Sequence, residues 1–124
     1  EFYDDAVKMI IDLVNIDSVY DENTVTEDMP YGKGVDQCLK AFKDLAIKKG
    51  LNAEIVGNRC VEVTVGTKGR EVGIFGHLDV VPATGDWSNP PFNAIIKANP
   101  ETEMIHSYFY EQKNIKGNPA LILH

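Results

Sequence analysis

The chain has 124 residues, 44% of them hydrophobic and 25% charged, with a formal net charge of −7. That describes one globular domain, or part of one, with enough apolar mass for a core. The acidity disfavours nucleic acid and anionic membrane surfaces, which need basic patches, and no apolar run approaches the roughly 20 residues of a membrane helix. The two cysteines, Cys38 and Cys60, are too few for a secreted disulfide framework and are expected as free thiols in a reducing cytoplasm. No basic segment leads into an apolar core, so no leader peptide is expected within these residues.

Phe2, Ala6, Met9, Ile10, Leu13 and Val14 recur at helical spacing, which predicts an amphipathic helix over 2–16 with one buried stripe. Residues 17–33 are polar and acidic and carry Pro30 and Gly32, with Gly34 just beyond, so a long loop is expected. Val35, Cys38, Leu39, Phe42, Leu45 and Ala46 then share one face of a second helix. Asp36 suits its first turn, Lys48 and Lys49 its last, and Gly50 its C-terminal cap.

Residues 52–57 are a short candidate strand. Residues 60–65 alternate, with Val61, Val63 and Val65 on one face, as a half-buried strand does. Gly66-Thr-Lys-Gly69 reads as a turn. Residues 71–76 are apolar without alternation, the pattern of a central strand covered on both faces. Residues 82–91 carry three prolines, a glycine and Trp87 and are expected to be irregular. A further strand is expected over 93–97. Beyond Asn99 the pattern is ambiguous between helix and strand around Met104–Phe109, with a turn at Asn118-Pro119 and a short strand over 120–123.

The chemistry concentrates at His77-Leu78-Asp79. Strand side chains alternate, so His77 and Asp79 are expected to point the same way. The end of a strand is where open α/β sheets place their ligands. A carboxylate beside an imidazole fixes its tautomer and raises its basicity, as a metal-ligating histidine requires. H-x-D alone is a weak signal, and one histidine does not hold a zinc, which needs three or four protein ligands. His106 and His124, the other histidines, read as surface or tail residues. Acidic residues 21, 22, 27 and 28 read as a solvated loop rather than a cation patch. Cys38 lies on a helix core face and Cys60 heads a strand, neither with a visible activating partner. No G-x-S-x-G, Walker A loop or G-x-G-x-x-G is present.

The specific signal is longer. Gly76-His-Leu-Asp-Val-Val-Pro82 followed by Gly85-Asp-Trp-Ser-Asn-Pro-Pro-Phe92 resembles the first metal-binding segment of the aminoacylase, dipeptidase and desuccinylase family of zinc metallopeptidases. Thr26-Glu-Asp-Met-Pro-Tyr-Gly-Lys-Gly-Val35, leading into a helix, resembles the bacterial dipeptidase branch, with succinyl-diaminopimelate desuccinylases as the near alternative. The resemblance covers about residues 2–97. It implies that His77 binds one zinc of a co-catalytic pair and that Asp79 orients His77 without touching the metal. It also implies a metal-activated water that attacks an amide bond of a dipeptide or N-acyl amino acid. Zinc is the implied metal, with manganese and cobalt as alternatives.

Other parts of the family pattern are missing from these residues. An Asp-Asp-Lys-Gly run, whose aspartate bridges the metals, should follow the strand after residue 93. A Glu-Glu pair should come later, one member acting as general base. The chain instead reads Ala98-Asn-Pro-Glu-Thr-Glu-Met-Ile-His106 and ends at His124. The expectation is therefore an α/β fold: two helices on a mixed β-sheet of four or five strands, a partial zinc-peptidase catalytic domain of the phosphorylase/hydrolase-like kind. Residues 1–98 would form the N-terminal part of that domain and residues 99–124 a divergent tail. Alone, such a truncated piece is expected to be inactive and to bind no metal tightly. It is also expected to leave a sheet edge that its tail or a homo-oligomer covers. The alternative is a non-catalytic α/β binding or assembly module derived from that family. A mononuclear site rebuilt from His77 with His106 or His124 is a third, remoter reading.

Overall fold

The computed structural model describes residues 2–96, and these fall into two compact units. One comprises residues 17–81; the other comprises residues 2–16 together with 82–96. The expected boundary at 98–99, the tail, His106 and His124 lie outside the described residues.

In the second of these units, helix α1 spans Phe2–Val14, close to the expected 2–16. Asp4 and Asp5 occupy its first turn, where carboxylates complement the exposed N–H groups. Its stripe at Ala6, Met9, Ile10, Leu13 and Val14 is half-buried, whereas Phe2 is exposed. No α1 residue is fully buried, so the expected buried stripe is only partly covered. Lys8 and Asp12, one turn apart, pair at 3.5 Å on the exposed face. Asn15, just past the helix, accepts the Ala94 N–H through its Oδ1 at 2.7 Å. That bond anchors the second part of this unit, where residues 93–96 are not a strand. The irregular course expected for 82–91 is what the structure shows.

The 17–81 unit holds the core. Helix α2 spans Lys33–Lys48 and buries Val35, Cys38, Leu39 and Ala46, four of the six positions its periodicity singled out; Phe42 and Leu45 are half-buried. Strands β1 (Asn52–Val56) and β2 (Cys60–Thr64) form a two-stranded antiparallel sheet and both pack against α2. Ile55 pairs with Val61 and Ala53 with Val63, so the half-buried residues of the two strands share one face.

Helix α2 ends as its sequence requires. Gly50 adopts φ 78°, and its N–H bonds Ile47 O at 2.9 Å while Leu51 N–H bonds Ala46 O at 3.1 Å. This double bond pattern is the Schellman closure, which favours glycine. The start of α2 is less conventional. Gly32 at the N-cap has no side chain to offer. Thr24, nine positions upstream of Lys33, supplies the missing acceptor: its Oγ1 takes the Lys33 N–H at 2.9 Å. Thr24→Val is expected to lower stability by about 1 kcal/mol, the usual worth of an N-cap, with Thr24→Ser close to wild type. Urea denaturation of the two variants checks this.

The α/β class holds, but the sheet is narrower than expected. Residues 71–76 are not a strand. Val72, Ile74 and Phe75 are 80%, 96% and 96% exposed. A run that is apolar on both faces becomes a strand only between neighbours that pair with it, and among the described residues none does. The segment just after it does make a pairing: Val80 forms an isolated parallel bridge with Val19. Among the described residues no helix is long and apolar enough to cross a membrane.

Candidate metal-ligand site

The site lies in the 17–81 unit, where the chain passes from the exposed apolar run into Leu78. His77 and Asp79 flank Leu78 and turn to the same side, although this stretch is not a strand. His77 Nδ1 lies 2.9 Å from the Asp79 carbonyl oxygen and 3.3 Å from Asp79 Oδ1. Both neighbours of Nδ1 are acceptors, so the imidazole proton belongs on Nδ1 and the lone pair on Nε2. The backbone carbonyl is the closer of the two acceptors, and sequence periodicity gave no sign of it. Both side chains are about half exposed, at 47% and 61%, so solvent screens their mutual attraction.

The peptide between them is held from behind. Ser18 is 2% exposed, and its hydroxyl donates to the Leu78 carbonyl at 2.8 Å. The Val80 N–H returns a bond to Ser18 O at 3.3 Å. Cys38, on the buried face of α2, places its Sγ 3.9 Å from the same Leu78 oxygen. Burial pushes the Cys38 thiol up from its ordinary value, so the neutral thiol is the form present. Sequence reading passed over Ser18. A single serine in a polar loop carries no periodic signal, and its partner lies sixty positions away.

The raised Cys38 thiol has a sign that can be checked. Its contribution to stability is full below the ordinary thiol range, about 8.5, and is lost as pH rises through the higher folded value. Cys60 is exposed and Cys38 buried, both as free thiols. At pH 8, alkylation of the native protein is expected to label Cys60 and spare Cys38 until denaturant is added. Mass spectrometry of the labelled peptides distinguishes the two.

Among the described residues, the other candidates do not join this site. Asp21 caps a short 3-10 turn at Glu22–Thr24, where its carboxylate accepts the Asn23 N–H. The Asn23 backbone bond, with that of its side chain and a hydroxyl bond from Thr24, holds the Asp21 carboxyl below its usual value. That aspartate therefore has a structural occupation. Cys60 lies on the exposed side of β2.

For a metal, the donor set is partial. His77 offers one imidazole of suitable tautomer, with Asp79 placed to orient it. Among the described residues no three histidine, cysteine or acidic side chains gather as a metal site would need.

Comparison with known proteins identifies the class: the chain is homologous to bacterial dipeptidases along most of its own length. It is 36% identical over 89 residues to the Beta-Ala-Xaa dipeptidase of Lactobacillus delbrueckii subsp. lactis, covering 72% of this chain and 19% of that protein. It is 29% identical over 94 residues to "Putative dipeptidase YtjP" of Bacillus subtilis, covering 76% of this chain and 20% of that protein. A third relative, "Putative dipeptidase SH1171" of Staphylococcus haemolyticus, is 30% identical over 84 residues, covering 68% of this chain and 18% of that protein. The chain thus spans about a fifth of the length of the curated relatives it matches. No protein-family model matches it.

Proposed function

We propose that this chain carries one metal-ligand segment of a metal-dependent dipeptidase. The observation that carries the reading is the His77–Asp79 geometry, an imidazole with Nδ1 held by acceptors at 2.9 and 3.3 Å, in a chain homologous to dipeptidases. In this reading His77 Nε2 binds the metal, and Asp79 fixes the ring through both its carbonyl and its carboxylate. The metal, when bound, supplies Lewis-acid chemistry and an activated water for amide hydrolysis. Zinc suits a neutral imidazole, as do manganese and cobalt to different degrees. The substrate class is a dipeptide, with N-acyl amino acids as the neighbouring choice. Free thiols at Cys38 and Cys60 support a cytoplasmic setting, and the net charge of −7 weighs against nucleic acid as a partner. The exposed run at Val72, Ile74 and Phe75 supports association through that stretch, with a second copy or with residues 99–124 covering it.

Residues 1–124 by themselves are catalytically silent in this reading, because one ligand and its orienting carboxylate do not assemble a catalytic metal. Purified chain supplied with zinc, manganese or cobalt is expected to hydrolyse β-alanyl and α-linked dipeptides no faster than His77→Ala does. Hydrolysis that the His77→Ala substitution abolishes would overturn the silence. The second reading, a non-catalytic module derived from the same family, is favoured by the partial donor set. It predicts that His77→Ala changes neither metal response nor any binding property of the chain.

A further inference from the structure

The His77–Asp79 pair sits on an exposed segment, yet the peptide between its two members has a buried anchor. Ser18 is the buried polar residue among those described, at 2% exposure. Its hydroxyl donates to Leu78 O at 2.8 Å and its carbonyl accepts Val80 N–H at 3.3 Å. One residue therefore grips the chain on both sides of Asp79. The neighbouring Val19–Val80 bridge continues the same pairing. The Leu78 carbonyl belongs to the peptide plane that joins Leu78 to Asp79, so the bond to Ser18 fixes the rotation of that plane. That rotation decides whether the Asp79 carbonyl and carboxylate face the imidazole of His77 or turn away from it. A buried hydroxyl facing a carbonyl is costly to remove, because the oxygen is left without its donor. Cys38, a weak donor at 3.9 Å, does not replace it.

We propose that Ser18 is a positioning residue for the His77–Asp79 pair, holding the Leu78 carbonyl so that the Nδ1 side of the imidazole meets Asp79 and Nε2 is the nitrogen presented to a metal. The metal part of this statement rests on the function proposed above; the positioning part does not, and the two are read separately.

The test is the tautomer of His77, from long-range proton–nitrogen NMR correlations of the imidazole, with zinc titrated afterwards. In the unaltered chain the Nδ1–H form is expected to dominate. Ser18→Ala is expected to redistribute His77 into a mixture of tautomers and to raise the zinc concentration needed to perturb it about tenfold, the lower end of what a lost orienting partner costs. Ser18→Thr, which keeps the hydroxyl, restores the wild-type tautomer. Ala46→Gly, a destabilising change on the buried face of α2 eight positions along the helix from Cys38, leaves it unchanged. Should Ser18→Ala not fold, Ser18→Cys carries the same expectation, since it keeps nearly the same shape and weakens the donor. A wild-type tautomer in folded Ser18→Ala or Ser18→Cys overturns the proposal, as does an equal shift in Ala46→Gly. A tautomer shift in Ser18→Ala with no zinc response in any form of the chain upholds the positioning role and rejects the metal role of His77.

Discussion

Gly34→Ala is expected to destabilise the 17–81 unit by about 3 kcal/mol, the upper end of what overpacking costs. Gly34 lies in the first turn of α2, and an added Cβ would overlap the Asp17 carbonyl oxygen. It would also lie 3.1 Å from the Asp17 carbonyl carbon and 3.6 Å from Ser18 Cα. These are backbone atoms, which cannot rotate aside as a side chain does. The helix start and the 17–18 segment must therefore separate. The damage should reach further than stability, because the displaced segment carries Ser18 and so the bond to Leu78 O. Gly50→Ala is the instructive contrast. Nothing lies within 4 Å of a Cβ there, and the cost comes only from its φ of +78°. About 1 kcal/mol is expected for that left-handed conformation. Urea denaturation of the two variants, with the His77 imidazole signals recorded in each, checks both the ranking and the coupling. Equal costs, or a Gly34→Ala variant with unaltered His77 signals, would contradict the close approach of α2 to Asp17.

Asp79→Ala is expected to weaken the metal response of His77 about tenfold rather than abolish it. Loss of an orienting partner costs 10–100-fold in metal affinity in general. Here the lower end applies, because the closer of the two acceptors at Nδ1 is the Asp79 backbone carbonyl, at 2.9 Å against 3.3 Å for the carboxylate. The substitution leaves that carbonyl in place. Asp79→Asn keeps an oxygen acceptor as well and should fall between Asp79→Ala and wild type. Zinc titrations followed at the His77 ring protons measure the order. A complete loss in Asp79→Ala would mean that the carboxylate itself binds the metal, which changes its role from orienting residue to ligand.

The parts of this fold that the sequence disclosed are those with a local period. The stripe of α1, the buried face of α2, the Gly50 closure and the alternation of Val61 and Val63 each report an environment that repeats every turn or every second residue. Helix α2 begins at Lys33, at the end of the expected loop, where Gly32 and Gly34 read as breakers. At Gly34 the absent side chain answers a steric demand from Asp17, which no local rule reveals. The strand expected at 71–76 failed for a related reason: continuous apolarity states that a segment could be covered, not that a neighbour covers it. At the site, the i, i+2 relation of His77 and Asp79 was legible. The roles of the Asp79 carbonyl and of Ser18 were not, since both depend on where the backbone of residues 77–80 passes relative to residues far away in the chain.

Zinc titrated into the purified chain, with all three histidines followed by NMR, tests the central claim most directly. The account predicts that His77 responds at lower zinc concentration than His106 or His124, that the metal attaches at Nε2 while Nδ1 keeps its proton, and that His77→Ala removes this first response. A first response at His106 or His124 with His77 unmoved, or attachment at Nδ1, would contradict it.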